Sequence, residues 1–280
     1  MFVTALVALT MTGCDMKANA ANKYFSGRYA EAAQAIDNHD ADRLLTVSKD
    51  LDLNAPGREQ MTLLWYAIQK KDYRAIQILV REGSRVDRQA VENLGTPLQF
   101  ALMDKDLRLL EAMLDGGLSP DWQNEDGANL LQLAMKSDHA FDVVKLLVAR
   151  HANLNARDSI GGSALDEAVD TMQPEIASYL IEHGANATGH MNNGSSTAWA
   201  VQQTIARLNP AAEGASTTDF SMGKSGQPVA TKQTQPAPGT TPEGQQLLHK
   251  YEQLRALMIA KGAKFPADSP AKVREQMSKK

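Results

Sequence analysis

Cysteine is almost absent: Cys14 is the only one in 280 residues, so no disulfide can close within one protomer, even in an oxidising compartment. The same scarcity removes the cysteine pair that many structural metal sites need. None of the six histidines (His39, His139, His151, His183, His190, His249) has a partner at the i, i+4 spacing of a zinc-binding helix. Basic excess is missing too. A net charge of −4, with no basic stripe and only 5% aromatic residues, argues against a nucleic-acid partner. No apolar run reaches the length of about 20 residues that crosses a bilayer. There is no Gly-x-Ser-x-Gly nucleophile elbow. Gly223-Lys224-Ser225 echoes the end of a phosphate loop, but Thr218 stands where the earlier glycine belongs, and no strand is expected before it. Neither enzyme activity, cofactor nor metal is expected.

What is present is repetition. Thr96-Pro97-Leu98 opens a stretch that has Ala101 five residues after Thr96 and closes on Met113-Leu114 and Gly116-Gly117. The same pattern runs from Thr62 through Ala67 to Gly83, from Leu130 through Ala134 to Ala152, and from Ser163 through Ala168 to Gly184. The alanines Ala67, Ala101, Ala134 and Ala168 lie 34, 33 and 34 residues apart (101−67, 134−101, 168−134). A Thr or Ser before an apolar turn caps a first helix, as expected of Thr62, Thr96 and Ser163. Pro97 fits the first helical position, where its missing N–H costs nothing. Gly83, Gly117 and Gly184 are expected to end each second helix in the left-handed region, with His151 taking that place under some strain in the third unit. One unit cannot bury its own apolar face, so stability is a sum of neighbour interfaces.

These residues and their spacing resemble ankyrin repeats, whose period is about 33 residues. The resemblance implies an all-α ankyrin-repeat solenoid of about five repeats with an N-terminal capping helix pair and short hairpin-like loops. Tyr29–Asn38 and Ala41–Ser48 form that cap, with Leu44, Leu45 and Val47 inward and Glu31, Gln34, Asp37 and Asn38 wet. Repeats follow at about 57–87, 93–121, 126–155 and 160–187. A fifth has its first helix at Asn193–Leu208, marked by Ala200, and its second at Gln246–Ala263. The repeat domain spans 23–265. Within it, 209–245 is rich in Pro, Gly, Ser, Thr and Gln and is expected to be a disordered insertion. The basic tail 266–280 is expected to be mobile.

The N-terminus carries a second signal. Met1–Gly13 is apolar and too short to span a membrane, as in a signal peptide. Met11-Thr12-Gly13-Cys14 resembles a bacterial lipobox, which implies lipid attachment at Cys14, a tether over 14–22 and a membrane anchor. By the same resemblance, Asp15 implies retention at the inner membrane, on the periplasmic side. No Lys or Arg precedes the apolar run, so translation is expected to start upstream.

In ankyrin proteins, partners dock on loop tips and on the exposed side of the first helices. Carried over to this sequence, that implies the tip residues Arg88, Trp122, Gln123, Glu125, Arg157, Asp158 and His190, and the first-helix positions Trp65, Gln99, Gln132 and Asp166. Trp122 either anchors a partner or folds back over the adjacent repeat, and Trp65 either contacts a partner or packs. Trp199 is expected in the core. Asp166-Glu167 sits where such repeats carry variable surface residues, which accounts for the carboxylate pair without acid–base chemistry. A small lipid-anchored binder of this kind is similar to the ankyrin-repeat immunity lipoproteins that neutralise phospholipase effectors of type VI secretion. The implied partner is a co-encoded lipase, bound by a monomeric chain. A periplasmic scaffold for a resident envelope protein is the alternative. Initiation at Met11 or Met16 would give a minor cytosolic form without lipid. Metabolic labelling checks this: a single band that always carries lipid would rule out the internal start.

Overall fold

A computed structural model describes residues 20–88, 95–209, 216–222, 228–234 and 240–279. Cys14, the apolar run before it and residues 14–19 of the expected tether lie outside them. The chain forms two compact units, Met1–Pro120 with Ser137–Val143, and Asp121–Lys136 with Val144–Lys280.

In the first unit, residues 20–24 form a helical turn with Ala21 fully buried and Phe25 beside it in the core, so the tether ends before Asn22. The capping pair is α1 (Gly27–Asp37) and α2 (Ala41–Ser48). Its two faces differ from expectation. Leu45 is exposed, whereas Asp37 is buried, accepting from the Tyr66 hydroxyl at 2.9 Å and pairing with Lys70 Nζ at 2.6 Å. Burial and this carboxylate push the Tyr66 phenol well above its ordinary range. The repeats that follow are α3 (Leu63–Lys70) with α4 (Tyr73–Arg81), and α5 (Pro97–Met103) with α6 (Arg108–Asp115). Thr62 and Asp72 cap α3 and α4 by accepting from Trp65 N and Ala75 N. Thr96 caps α5, with Pro97 in its first turn. First helices stack on first helices (α1 on α3) and second on second (α2 on α4, α4 on α6).

The plan repeats with α7 (Leu130–Ala134), α8 (Ala140–Ala149, grouped with the first unit as far as Val143), α9 (Ala164–Asp170), α10 (Pro174–Glu182), α11 (Thr197–Leu208) and α12 (Pro242–Ala260), otherwise of the second unit. Here α7, α9 and α11 stack, and α10 packs on α12. The marker alanines Ala67, Ala101, Ala134 and Ala168 are all fully buried. In the fifth repeat the equivalent residue is Val201, five after the cap Ser196 and 33 after Ala168 (201−168); Ala200 is half-buried. Gly83, Gly117 and Gly184 take φ of +107°, +108° and +106°, and His151 holds +62° in the same place. Tyr251 of α12 is fully buried and donates to Val169 O of α9 at 3.0 Å; burial pushes its phenol up to about 12.

The long interruption of the fifth repeat carries local order that its composition hid. Strands β1 (Ser216–Met222) and β2 (Pro228–Thr234) pair antiparallel, Ser216 opposite Thr234 and Met222 opposite Pro228. Thr217, Thr218, Val229, Thr231 and Thr234 are β-branched, which suits an extended backbone. Gly223-Lys224-Ser225 itself lies outside the described residues; a strand, β1, does precede it, and the next described element is the antiparallel partner β2 and not the helix that a phosphate loop requires. The second helix of this repeat also begins earlier than expected, at Pro242.

Each repeat of the second unit begins with a small hairpin, and the three share one register. Gln123 pairs with Asn129, Arg157 with Ser163, and His190 with Ser196. Asp126, Ile160 and Asn193 are then equivalent. Asp126 O accepts from Ser159 N and Ile160 O accepts from Asn192 N, both at 3.0 Å, so each hairpin is tied to the next. Gly127 and Gly161 sit at these contacts; a Cβ on either would lie 3.1 Å from Ser159 N or 2.9 Å from Asn192 N. Among the described residues, no further repeat hairpin is hydrogen-bonded to the third. Its acceptor, Asn193 O, instead receives Arg274 Nη1 at 2.6 Å from a last helix, α13 (Pro270–Met277).

The tail is thus docked, contrary to expectation. Val273 is buried, Ala267 N donates to Gln202 Oε1 at 2.8 Å, and a Cβ on Gly194 would lie 2.6 Å from Pro270 O. A guanidinium stands where the peptide N–H of a further repeat would be. Replacing Arg274 with alanine should cost about 0.5–1.5 kcal/mol, the net worth of one hydrogen bond. Hydrogen exchange should then speed up selectively over 190–196; unchanged exchange there would mean that the contact does not hold the hairpin.

Candidate interaction surface

The hairpins of the second unit present most of the expected tip residues on one tied frame. Asn124 Oδ1 accepts from Asp126 N and Ala128 N (3.1 and 2.8 Å), and Asp158 Oδ1 accepts from Ile160 N and Gly162 N (3.0 and 2.7 Å). These side-chain turns fix the loop backbone. Each return strand ends on a helix cap (Asn129, Ser163 or Ser196), so tip and helix move together.

Along the outer edge, Gln123 Nε2 reaches Arg157 O at 3.5 Å, and Arg157 Nη1 donates to His190 O at 3.2 Å and to Gly161 O. The Arg157 guanidinium also lies against Gly189, where a Cβ would collide with it. Gln123, Glu125, Arg157 and His190 remain exposed, and Trp122 is partly exposed. Asp158 is different: its second oxygen accepts from Gln132 Nε2 of α7 at 2.8 Å, so one oxygen serves its own loop and the other the preceding repeat. In the first unit Arg88 is exposed, next to an Asp87 whose carboxyl is held below the usual range by the Arg85 guanidinium at 2.9 Å.

The expected first-helix contacts resolve otherwise. Trp65, Gln99, Gln132 and Asp166 all stand three residues after a helix cap, as does Trp199, which is half-buried. Gln99 and Gln132 turn back to accept from the amides of Thr96 and Asn129, both at 3.1 Å. Asp166 does the same with Ser163 N at 2.9 Å, takes the Ser163 hydroxyl at 2.7 Å, and receives Thr197 Oγ1 of the next repeat at 2.5 Å. Asp166 is buried, and so is Trp65, 4% exposed; neither is a surface contact in this conformation. Gln99 is exposed, but with its acceptor oxygen occupied. The signal was present in the sequence as capping boxes, Thr96-x-x-Gln99 and Asn129-x-x-Gln132, with Ser163-x-x-Asp166 as their acidic counterpart. Beside Asp166, burial pushes the Glu167 carboxyl up, with Lys136 pulling the other way. Among the described residues, no cluster of three or more His, Cys, Asp or Glu could hold a metal ion, and no helix is long and apolar enough to cross a membrane.

Comparison with known proteins agrees with this geometry. A family model for ankyrin repeats, in three copies, matches residues 98–190. Residues 98–190 match ankyrin repeats. A putative ankyrin repeat protein of Escherichia coli, YahD, is 26% identical over 163 residues, covering 56% of this chain and 81% of that protein. Putative ankyrin repeat proteins of mimivirus and fowlpox virus are 27% and 25% identical over 134 and 143 residues. The chain spans only 17% and 42% of the length of these two viral relatives. In fold it is similar to the ankyrin repeat domain of Bcl-3, with a TM-score of 0.53 at 20% identity, over 87% of this chain and 92% of that one.

The ankyrin frame therefore separates two kinds of side chain among the expected contacts. Asp166→Ala removes a buried acceptor shared by two repeats and should destabilise the protein by about 2–4 kcal/mol. Arg157→Ala, at an exposed position, should cost no more than about 1 kcal/mol. Denaturant midpoints of the two variants check this; similar losses would mean that Arg157 is as structural as Asp166.

Proposed function

We propose that this chain is a protein-binding ankyrin-repeat lipoprotein that acts as an immunity protein, neutralising a type VI phospholipase effector in the periplasm. Its binding surface is the hairpin edge formed by Trp122, Gln123, Glu125, Arg157 and His190. The observation that carries the binding role is that edge: a partly exposed tryptophan beside exposed cationic and polar groups, on three hydrogen-bonded hairpins. Side chains held in place before binding lose little further entropy, and tryptophan and arginine often dominate interface energies.

The cellular role rests on the lipobox. Acylation at Cys14 would hold the chain at the inner membrane, facing the periplasm, and more than one acyl chain is needed for a stable anchor. Anchoring would also raise the effective concentration of the binder where a lipase acts. The chain needs no chemistry of its own in this role, because covering the cleft of the enzyme or its path to lipid suffices.

The test is a pull-down by the full chain from lysate expressing the neighbouring open reading frames, with Trp122→Ala and Arg157→Ala in parallel; a co-encoded lipase should be retained. Each variant should weaken capture by at least about tenfold, as expected of an interface hot spot. Undiminished capture by both variants would keep the immunity role and remove this surface. Recovery of a resident envelope protein in place of a lipase would replace immunity with a scaffold role.

A further inference from the structure

The first unit contains a cavity of about 330 Å³ that the hairpin surface does not use. Its walls are Met61, Trp65, Ile68, Phe100 and Leu109, contributed by α3, α5, α6 and the approach to α3. Two polar groups at its rim are already engaged: the Tyr73 hydroxyl donates to Asp106 at 2.6 Å, and Asp104 Oδ1 accepts from Asp106 N at 3.0 Å. Lys71 is not. It is exposed at the end of α3, in the left-handed region at φ +53°, and pairs with no carboxylate among the described residues.

Two further observations distinguish this cavity from ordinary packing. Trp65 is 4% exposed, yet its Nε1 donor has no acceptor among the described residues, an arrangement that buried polar groups rarely tolerate. Phe100 meets the Trp65 ring edge-on, with centroids 5.6 Å apart, and is 38% exposed; Met103, on the same helix, is 56% exposed. Apolar surface therefore continues from the cavity along the outside of α5, and a contiguous apolar patch of this kind marks an interaction site. A small metabolite would fill the cavity but leave that surface wet. A protein chain would cover both.

We propose that the cavity is an anchor site for one large apolar side chain of a protein partner, with an acidic group of the same partner at Lys71. This rests on the protein-binding role above, but not on the partner being a lipase. Lys71 would select for acidic neighbours, while the apolar side chain supplies most of the affinity.

The probe is 3-phenylpropionate, an apolar ring carrying a carboxylate, added at millimolar concentration to the ¹⁵N-labelled full chain. Its neutral analogue 3-phenylpropanol and decanoate run in parallel. The Trp65 indole N–H signal, assigned with Trp65→Phe, should shift. The acid should bind about fivefold more tightly than the alcohol, the worth of one exposed ion pair, and Lys71→Gln should abolish that preference. Lys71 is exposed, so this variant stays informative even if Trp65→Phe fails to fold. No indole shift with any probe would overturn the site, and equal binding of acid and alcohol would overturn the role of Lys71. Binding of decanoate a hundredfold tighter than the aromatic acid would make this a fatty-acid site and overturn the protein anchor. If a co-encoded lipase is captured and is held equally by Lys71→Gln and Phe100→Ala, the anchor falls and immunity stands. If the aromatic acid binds but no lipase is captured, the lipase role alone falls.

Discussion

A helix pair of this length cannot bury its own apolar face, and that constraint shapes the whole chain. Each first helix must let its neighbour approach closely, so Ala67, Ala101, Ala134 and Ala168 are small and wholly buried. Each second helix must stop where the chain turns towards the next unit, so Gly83, Gly117 and Gly184 take a φ that residues with a Cβ resist. Where a repeat departs from the pattern, the cost is local. His151 accepts left-handed backbone where other repeats have glycine, and Val201 replaces an alanine in the fifth repeat.

The same constraint decides what happens at the ends. At the front, Asp37 looks like part of a wet face, but it is buried against Tyr66 and Lys70, tying the cap to the first repeat. At the back, the third hairpin of the second unit has an acceptor, Asn193 O, that a further repeat would satisfy. Arg274 satisfies it from a helix of another kind. An exposed hairpin edge with unpaired backbone groups invites pairing with another chain, and α13 removes that invitation.

Binding and structure divide the polar side chains between them. Residues three after a helix cap reach back to the cap amide in three repeats, so Gln99, Gln132 and Asp166 have their acceptors committed to the fold. Trp65 holds the equivalent place in the first unit, has no such duty, and lines a cavity instead. On the hairpins, Asp158 is spent on its own loop and on Gln132 of the preceding repeat, while Gln123, Glu125, Arg157 and His190 keep an exposed side. The surface offered to a partner is what the frame leaves over.

Much of this was legible in the sequence, because it depends on short-range chemistry that repeats. Spacing of the alanines, the caps Thr62, Thr96 and Ser163, and the closing glycines determined the helix pairs and the family resemblance. Their physical roles are set within a few residues along the chain. What only the tertiary structure decided depends on contacts far apart in sequence. Tyr251 reaches Val169 across the interrupted fifth repeat, and Arg274 reaches Asn193 from a tail whose charge alone reads as solvated. Thr197 closes on Asp166 from the following repeat, which turns an apparent surface carboxylate into a buried one. Composition along the chain cannot report such pairings, since burial belongs to the assembled neighbours and not to any one segment.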